Sequence, residues 1–260
     1  MKAVILCGGK GTRLQEETEY RPKPLVKIGS MPILWHIMKL YSHYGVKDFI
    51  LALGYKGEMI KEYFLNFEEL SNNFTLNLRS REDRVVHEAE ATLEDWKITF
   101  VDTGLETQTG GRIARIRRYL GDDTEFFLTY GDAVSDVNID SLYRFHKEQG
   151  TILTVTGINQ TSPFGVIEVE DGRAKGFKEK PKLDGLISGG FFVCDYSVFD
   201  YVSRDVGCVF EEDPLKKISE VNQLAVYPHN GYWQCMDTYK HMLDLNKTWN
   251  DDQAPWKIWG

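Results

Sequence analysis

Apolar runs and polar interruptions alternate along the chain with two different periods. Lys2 to Cys7 is a short apolar run that stops abruptly at Gly8, Gly9, Lys10, Gly11, the pattern of a buried parallel strand ending in a tight loop. From Pro32 to Tyr44 the apolar positions Ile33, Leu34, Ile37, Met38 and Tyr41 recur with helical spacing, so this stretch predicts a helix covering one sheet face. Lys47–Leu53 and Tyr55–Phe64 repeat the strand and helix order. A βαβ layout follows for the first half, and ligands in such layouts sit beyond the strand C-termini.

The middle is less regular. Phe74–Leu78 alternates as a strand, Ser80–Trp96 is charged and has no clear period, and KITFVDTG precedes a helical pattern at Ile113, Ile116, Arg117 and Leu120. Glu125–Asp136 places an aspartate directly after a strongly apolar strand, a rigid position for a reachable carboxylate. Beyond it the pattern predicts a helix near Ser141–Glu148, a buried strand in TILTVTGI, and a hairpin turning at Asp171 and Gly172. A glycine-led strand at Ser188–Asp195, a short helix in SVFDYV, a helix at Asp213–Val221, a strand in QLAVYPH and a helix at Met236–Trp249 complete the reading. The fold class expected is α/β: a Rossmann-like mixed sheet with flanking helices and a smaller C-terminal elaboration. No internal repeat or flexible linker divides it.

Composition narrows the function classes. The chain has 260 residues, 42% of them hydrophobic and 27% charged, ordinary values for a folded domain. Its 31 Lys and Arg against 39 Asp and Glu give a formal net charge of -8, which argues against nonspecific nucleic-acid or acidic-membrane partners while permitting a local basic pocket. The opening MKAVILCGGKG reads as a first strand rather than a signal peptide, and no apolar stretch is long enough to insert in a membrane. Cys7, Cys194, Cys208 and Cys235 form no CxxC pair, so reduced thiols in a cytoplasmic protein are the simpler expectation.

Three clusters could carry chemistry. Gly8, Gly9 and Gly11 let the backbone turn closely around phosphates, and Thr12 and Arg13 add donors; the spacing matches neither a dinucleotide fingerprint nor a Walker loop. Lys23, restrained between Pro22 and Pro24, could meet a phosphate. Asp132 and Asp237 are hard oxygen ligands suited to Mg2+, with Asp136 as a weaker third, although their separation in sequence does not show that they meet. Glu179 and Lys180 in GFKEKP could accept sugar hydroxyls and meet a phosphate, respectively. Taken singly, each feature has an ordinary explanation as a tight turn, a helix cap or a solvated surface.

Together, GGKGTRL, RPKPLVKIG, MPIL, YGD, EKP and MDT resemble the sugar-1-phosphate nucleotidyltransferase family in order and separation, over nearly the whole chain. The resemblance implies that Gly8, Gly9, Gly11, Thr12 and Arg13 surround a triphosphate, that Lys23 contacts it, and that Asp132 and Asp237 bind Mg2+. It implies sugar recognition by Glu179, sugar-phosphate recognition by Lys180, and close substrate approach at Gly189 and Gly190. PILWHIMK, GYKG, VDTG with TGGR, GYWQCMDT and PWKIW are most similar to the bacterial glucose-1-phosphate cytidylyltransferases within that family. The expected substrates are then CTP and glucose 1-phosphate, with Thr103, Gly104, Gly110, Gly111 and Arg112 as CTP contacts and Leu6 and Gly131 completing the nucleotide set. Residues 1–135 would mainly bind nucleotide and 136–260 mainly sugar, with elements for a homo-oligomer. Two departures flank these sites: Ala133 where the pattern favours glycine, and Ser188 where INGG is common. Open alternatives are another phosphate acceptor, UDP- or dTDP-sugar pyrophosphorylase activity, and a noncatalytic nucleotide-binding regulatory subunit.

Overall fold

The structure, a computed structural model, describes residues 1–80, 84–87, 94–159, 164–179, 181 and 185–259. Its centre is a seven-stranded sheet. In chain order the strands are β1 (Ala3–Cys7), β2 (Asp48–Leu53), β3 (Lys97–Asp102), β4 (Glu125–Tyr130), β5 (Leu153–Ile158), β6 (Ile187–Asp195) and β7 (Leu224–His229). Across the sheet they lie in the order β7-β5-β6-β4-β1-β2-β3. All run parallel except β6, which is antiparallel to both β4 and β5. That single reversal brings the N-terminal glycines of β6 to the edge where β1 and β4 end.

The apolar runs read from the sequence divide the core in two, because successive side chains of a strand point to opposite faces. Ala3, Ile5 and Cys7 of β1, with Phe49, Leu51 and Leu53 of β2 and Phe127 of β4, face helix α1 (Ile33–His43). Val4, Leu6, Ile50, Ala52, Phe126 and Leu128 face the other way, toward Ile113 and Ile116. Period-two strands buried on both faces need helices on both sides, and the remaining helices supply them. These are α2 (Gly57–Leu65), α3 (Thr109–Ile116), α4 (Ile139–Gln149), α5 (Asp213–Glu220) and α6 (Tyr239–Asn250). Helix α4 starts where the Asn138 side chain accepts from the Ser141 amide at 2.8 Å, and it stops at Gly150 in the left-handed region.

Most expected elements are present with ends shifted by a residue or two; helix α6 starts at Tyr239 rather than the expected Met236, which leaves Asp237 ahead of the helix, and the short helix expected in SVFDYV is a 3-10 turn over Tyr196–Asp200. In the irregular middle, Asn73–Leu76 pairs with Arg84–His87, a strand that the charged composition of that segment concealed. The expected hairpin forms from Val166–Glu170 and Arg173–Lys178. Two small ladders had no signal in the periodicity: Lys27–Ile28 with Met31–Pro32, and Ala133–Ser135 with Trp233–Cys235. At two or three residues each, they are too short for any repeat to show.

Helix α6 and the segment after it pack on the first of these ladders. Asn246 accepts from the Gly29 amide at 2.9 Å and donates to the Lys27 carbonyl at 3.0 Å. The Trp249 indole fills the space that a side chain at position 29 would need. Trp256 is 1% exposed and, with Trp249, packs around His36 of α1. The tail therefore fixes the hairpin that directly follows Lys23.

Candidate functional site

At the C-terminal edge of β1 and β4 lies a cleft of about 260 Å³. It is lined by Leu6, Cys7, Gly8, Gly9, Gly11, Thr12, Arg13, Lys23, Pro24, Thr107, Gln108, Thr109, Arg112, Tyr130, Gly131 and Asp132. The loop after β1 is held open by two distinct devices. Gly11 adopts φ 63°, a conformation costly for other residues, and its carbonyl accepts from the Thr18 hydroxyl at 3.0 Å. A side chain at Gly8 would collide with the guanidinium of Arg112, as would one at Gly54.

Arg112 is 4% exposed and spends its donors on the ends of three strands. One nitrogen donates to the Leu53 carbonyl at 3.0 Å, the Thr103 hydroxyl at 2.7 Å and the Gly104 carbonyl at 2.9 Å. The other donates to the carbonyls of Gly8 at 2.9 Å and Leu105 at 3.3 Å. Burial pulls the Arg112 pKa below its ordinary value, but no carbonyl can take its proton, so the side chain acts as a charged staple between loops.

The two distant carboxylates do meet. Cys235 pairs with Ala133, and the Met236 amide donates to the Asp132 carbonyl at 2.8 Å, which sets Asp237 beside Asp132. Lys23 stands between them, its Nζ 2.7 Å from Asp132 Oδ2 and 2.6 Å from Asp237 Oδ1. Arg13 reaches the other oxygen of Asp237 at 2.8 Å. Lys23 is placed by its neighbours: Pro22 is extended, and the turn Lys23–Leu25 closes with Val26 donating to the Lys23 carbonyl at 3.0 Å. Burial by itself would lower the Lys23 pKa, but the hydrogen-bonded charges of Asp132 and Asp237 outweigh it and the pKa is raised. For Asp237 burial would raise the pKa, and Lys23 with Arg13 reverses that and holds it below the usual carboxylate range.

An ammonium bridging two carboxylates is also a test of cation fit. Oxygens from Asp132 and Asp237 converge on one positively charged group within hydrogen-bond distance, at the mouth of a glycine loop. Among the described residues no group of three or more His, Cys, Asp or Glu side chains forms a protein-only metal cage. Two carboxylates completed by phosphate oxygens and water suit Mg2+, which seldom takes an all-protein shell.

Other expected residues are distributed around this centre. Thr103 is buried with its hydroxyl donating to the Leu53 carbonyl at 2.6 Å, and Gly104 accepts from Arg112, so both shape the cleft wall from behind. Gly110 and Gly111 let α3 approach the 205–210 segment, where the Gly111 amide donates to the Cys208 carbonyl at 3.1 Å. Gly190 lies over the Tyr130 ring, and the Gly189 carbonyl accepts from the Trp233 indole at 2.7 Å, which sets both glycines on the far side of Tyr130 from the phosphate loop. Glu179 is exposed beside Gly165 at the end of the hairpin, and Lys180 lies outside the described residues. Asp136 turns away, accepting from the Tyr232 amide at 2.7 Å with His229 at 3.1 Å. Thr107, Gln108, Thr109 and Tyr130 line the cleft although the sequence pattern did not single them out. The polar TQT triplet just ahead of Gly110 and Gly111 was the available signal.

Residues 2–251 match the family model described as Nucleotidyl transferase. The chain is 52% identical to the probable glucose-1-phosphate cytidylyltransferase of Bacillus subtilis (strain 168), and the alignment covers 100% of both chains. It is 45% identical to the glucose-1-phosphate cytidylyltransferase of Salmonella typhi, again over 100% of each. The crystal structure of HddC from Yersinia pseudotuberculosis shares the fold with a TM-score of 0.69 at 20% identity, covering 95% of this chain and 99% of that one. With a family model spanning nearly its whole length behind a glycine loop, a bridging lysine and two converging aspartates, this chain belongs to the nucleotidyl transferase family.

Proposed function

We propose that the protein transfers the cytidylyl group of CTP to α-D-glucose 1-phosphate, forming CDP-glucose and pyrophosphate. The observation that carries the reading is the charge cluster of Lys23, Asp132, Asp237 and Arg13 at the mouth of the glycine loop. The choice of CTP and glucose 1-phosphate rests on the full-length relatives that bear this activity in their names.

An anionic oxygen of the sugar phosphate attacks the α-phosphorus of CTP, and the bond to the departing pyrophosphate breaks on the opposite side. The nucleophile is already charged near neutral pH, so no general base is needed and none of the six histidines is assigned one. Positioning and charge stabilisation supply the acceleration. Gly8, Gly9, Gly11 and Thr12 cradle the triphosphate in backbone and hydroxyl donors, while Arg13 and Lys23 offset the charge that develops on it. Mg2+ would be held by Asp132 and Asp237 and would polarise the phosphate and steady the leaving group. Arg112, in the wall of the cleft, fixes the carbonyl of Gly8 and hence the loop.

On the sugar side, Gly189 and Gly190 offer close approach beside Tyr130, with Glu179 and Lys180 supplied by the segment after the hairpin. The same reading assigns residues 1–135 mainly to the nucleotide and 136–260 mainly to the sugar and to subunit contacts in a homo-oligomer. Exposed Phe74, Leu76 and Val85 on the small hairpin favour such contacts. Four free cysteines fit a reducing, cytoplasmic setting, and no helix among the described residues is long and apolar enough to cross a membrane.

The test is pyrophosphate release from CTP, UTP, dTTP, ATP and GTP against several sugar 1-phosphates, with magnesium and with EDTA. Selective turnover of CTP with glucose 1-phosphate that EDTA abolishes is the expected result. Another preferred pair would keep the mechanism and replace the specificity, while CTP binding without turnover of any pair would sink the enzymatic reading.

A further inference from the structure

At the C-terminal end of α3 is a second cavity, of about 420 Å³, lined by Arg115, Arg117, Arg118 and Arg204 together with Tyr196 and Phe199. Four arginines lining one hollow is unexpected in a chain with a net charge of -8. Elsewhere arginines pair with carboxylates, as Arg13 does with Asp237 and Arg84 with Glu68. Three of them donate to neutral acceptors: Arg115 to the Thr103 and Arg204 carbonyls, Arg117 to the Tyr196 hydroxyl at 3.0 Å, and Arg118 to the Tyr119 hydroxyl at 2.6 Å. Among the described residues none of the four forms an ion pair. Arg117 is additionally stacked on Tyr196, its guanidinium carbon 5.0 Å from the ring centre, which holds the fork in place with donors to spare.

We propose that this cavity is a second binding site, for a small molecule carrying a di- or triphosphate group. Like charges crowded without counter-ions repel one another, and an oligophosphate relieves that repulsion while matching the planar forks bidentately. Arg115 connects the site to the nucleotide cleft, because the same nitrogen that donates to the Thr103 carbonyl also donates to Thr107, a cleft residue, at 2.8 Å. The site does not depend on which nucleotide or sugar the cleft accepts.

Isothermal titration of the intact protein with pyrophosphate, inorganic tripolyphosphate, CTP and CDP-glucose separates the possibilities. The protein as it stands should show two classes of site for at least one of these ligands. Arg117→Gln with Arg118→Gln should weaken one class at least tenfold and leave the CTP affinity of the other within twofold, which also reports that the variant is folded. Arg117→Lys with Arg118→Lys should recover only part of the loss, since ammonium groups keep the charge without the fork. Two classes with the inorganic ligands assign an oligophosphate alone, and a second class seen only with CTP or CDP-glucose assigns a nucleotide. A single class of site for every ligand, or a second class that the Gln pair leaves unchanged, would overturn the proposal.

Discussion

Lys23 and His36 are both buried basic side chains next to the Lys27–Pro32 hairpin, and the fold treats them in opposite ways. Lys23 is charged between two carboxylates at 2.6 and 2.7 Å, at the edge of an open cleft. His36 is 1% exposed among indole rings, with no carboxylate ion-paired to it among the described residues. Its Nε2 meets the Ile28 carbonyl at 3.0 Å and its Nδ1 lies 3.4 Å from the Trp256 indole nitrogen, which is a donor only. A neutral ring protonated on Nε2 satisfies both partners, and a second proton would face the indole N–H. Burial accordingly lowers the His36 pKa to about 4, despite hydrogen bonds to backbone that favour the charged form. The lesson is that desolvation decides where countercharges are absent, and paired charges decide where they are supplied.

The comparison breaks most visibly at the cleft. Asp132→Ala removes one of the two carboxylates facing Lys23, and turnover should fall by about 10³-fold or more, some 4 kcal/mol in the barrier, with thermal unfolding little changed. A loss under tenfold in steady-state pyrophosphate release would mean that Asp132 is not part of the reacting centre.

The indole cage should respond in stability rather than chemistry. Trp256→Ala empties a fully buried site and leaves the His36 ring without its donor; urea denaturation should show a loss of about 3 kcal/mol. Activity at low temperature should persist, because the cage supports the hairpin after Lys23 without touching the cleft. Equal losses in stability and turnover would show the two regions to be one unit.

Acid sharpens the contrast further. His36 has a folded pKa below its ordinary value of 6.5, so between that value and about pH 4 the unfolded chain binds a proton the folded chain refuses. Its contribution is present above 6.5 and is lost as pH falls, on the order of 2 kcal/mol by pH 4. Asp237 acts in a lower window: with its folded pKa depressed, its contribution holds above the ordinary carboxylate value of 3.8 and is lost only as pH drops through the folded value. His36→Gln should therefore flatten the stability profile between pH 6.5 and 4 while leaving the steep loss below it. A profile unchanged by the substitution would contradict a neutral His36.

The smallest effect belongs to an exposed pair. Lys10 reaches Glu106 across the cleft mouth at 2.7 Å, with side chains 48% and 64% exposed. Lys10→Ala should shift stability by about 0.5 kcal/mol or less, because solvent screens such pairs. A larger shift in a denaturant titration would mark this contact as a structural strap.

Legibility tracked the distance over which each feature is decided. The glycine loop and Lys23 were readable because a turn, a restrained proline pair and a strand end are local events. The strand Ala3–Cys7 was readable as an apolar run cut off by glycines, because both of its faces are buried, and the helix after Pro32 because core and solvent impose its period directly. The Asn73–Leu76 and Arg84–His87 pair was only half visible, since the first strand alternates while the second lies exposed in a charged segment where burial imposes no period. Gly110 and Gly111 were assigned to nucleotide contact by resemblance, and the fold shows a packing demand at both from the 205–210 segment.

The sequence by itself determined the α/β class, the glycine-rich turn after the first strand and the family that these motifs mark. Only the tertiary structure decided that Asp132 and Asp237 converge on Lys23. Their meeting depends on the three-residue ladder between Ala133–Ser135 and Trp233–Cys235, and pairing between segments so far apart is set by packing on a completed sheet rather than by local pattern. The same holds for Arg112, whose acceptors lie on Leu53, Thr103, Gly104 and Gly8, and for the arginines gathered around Tyr196. A side chain's type limits which partners it can take, while burial and approach of distant backbone choose among them.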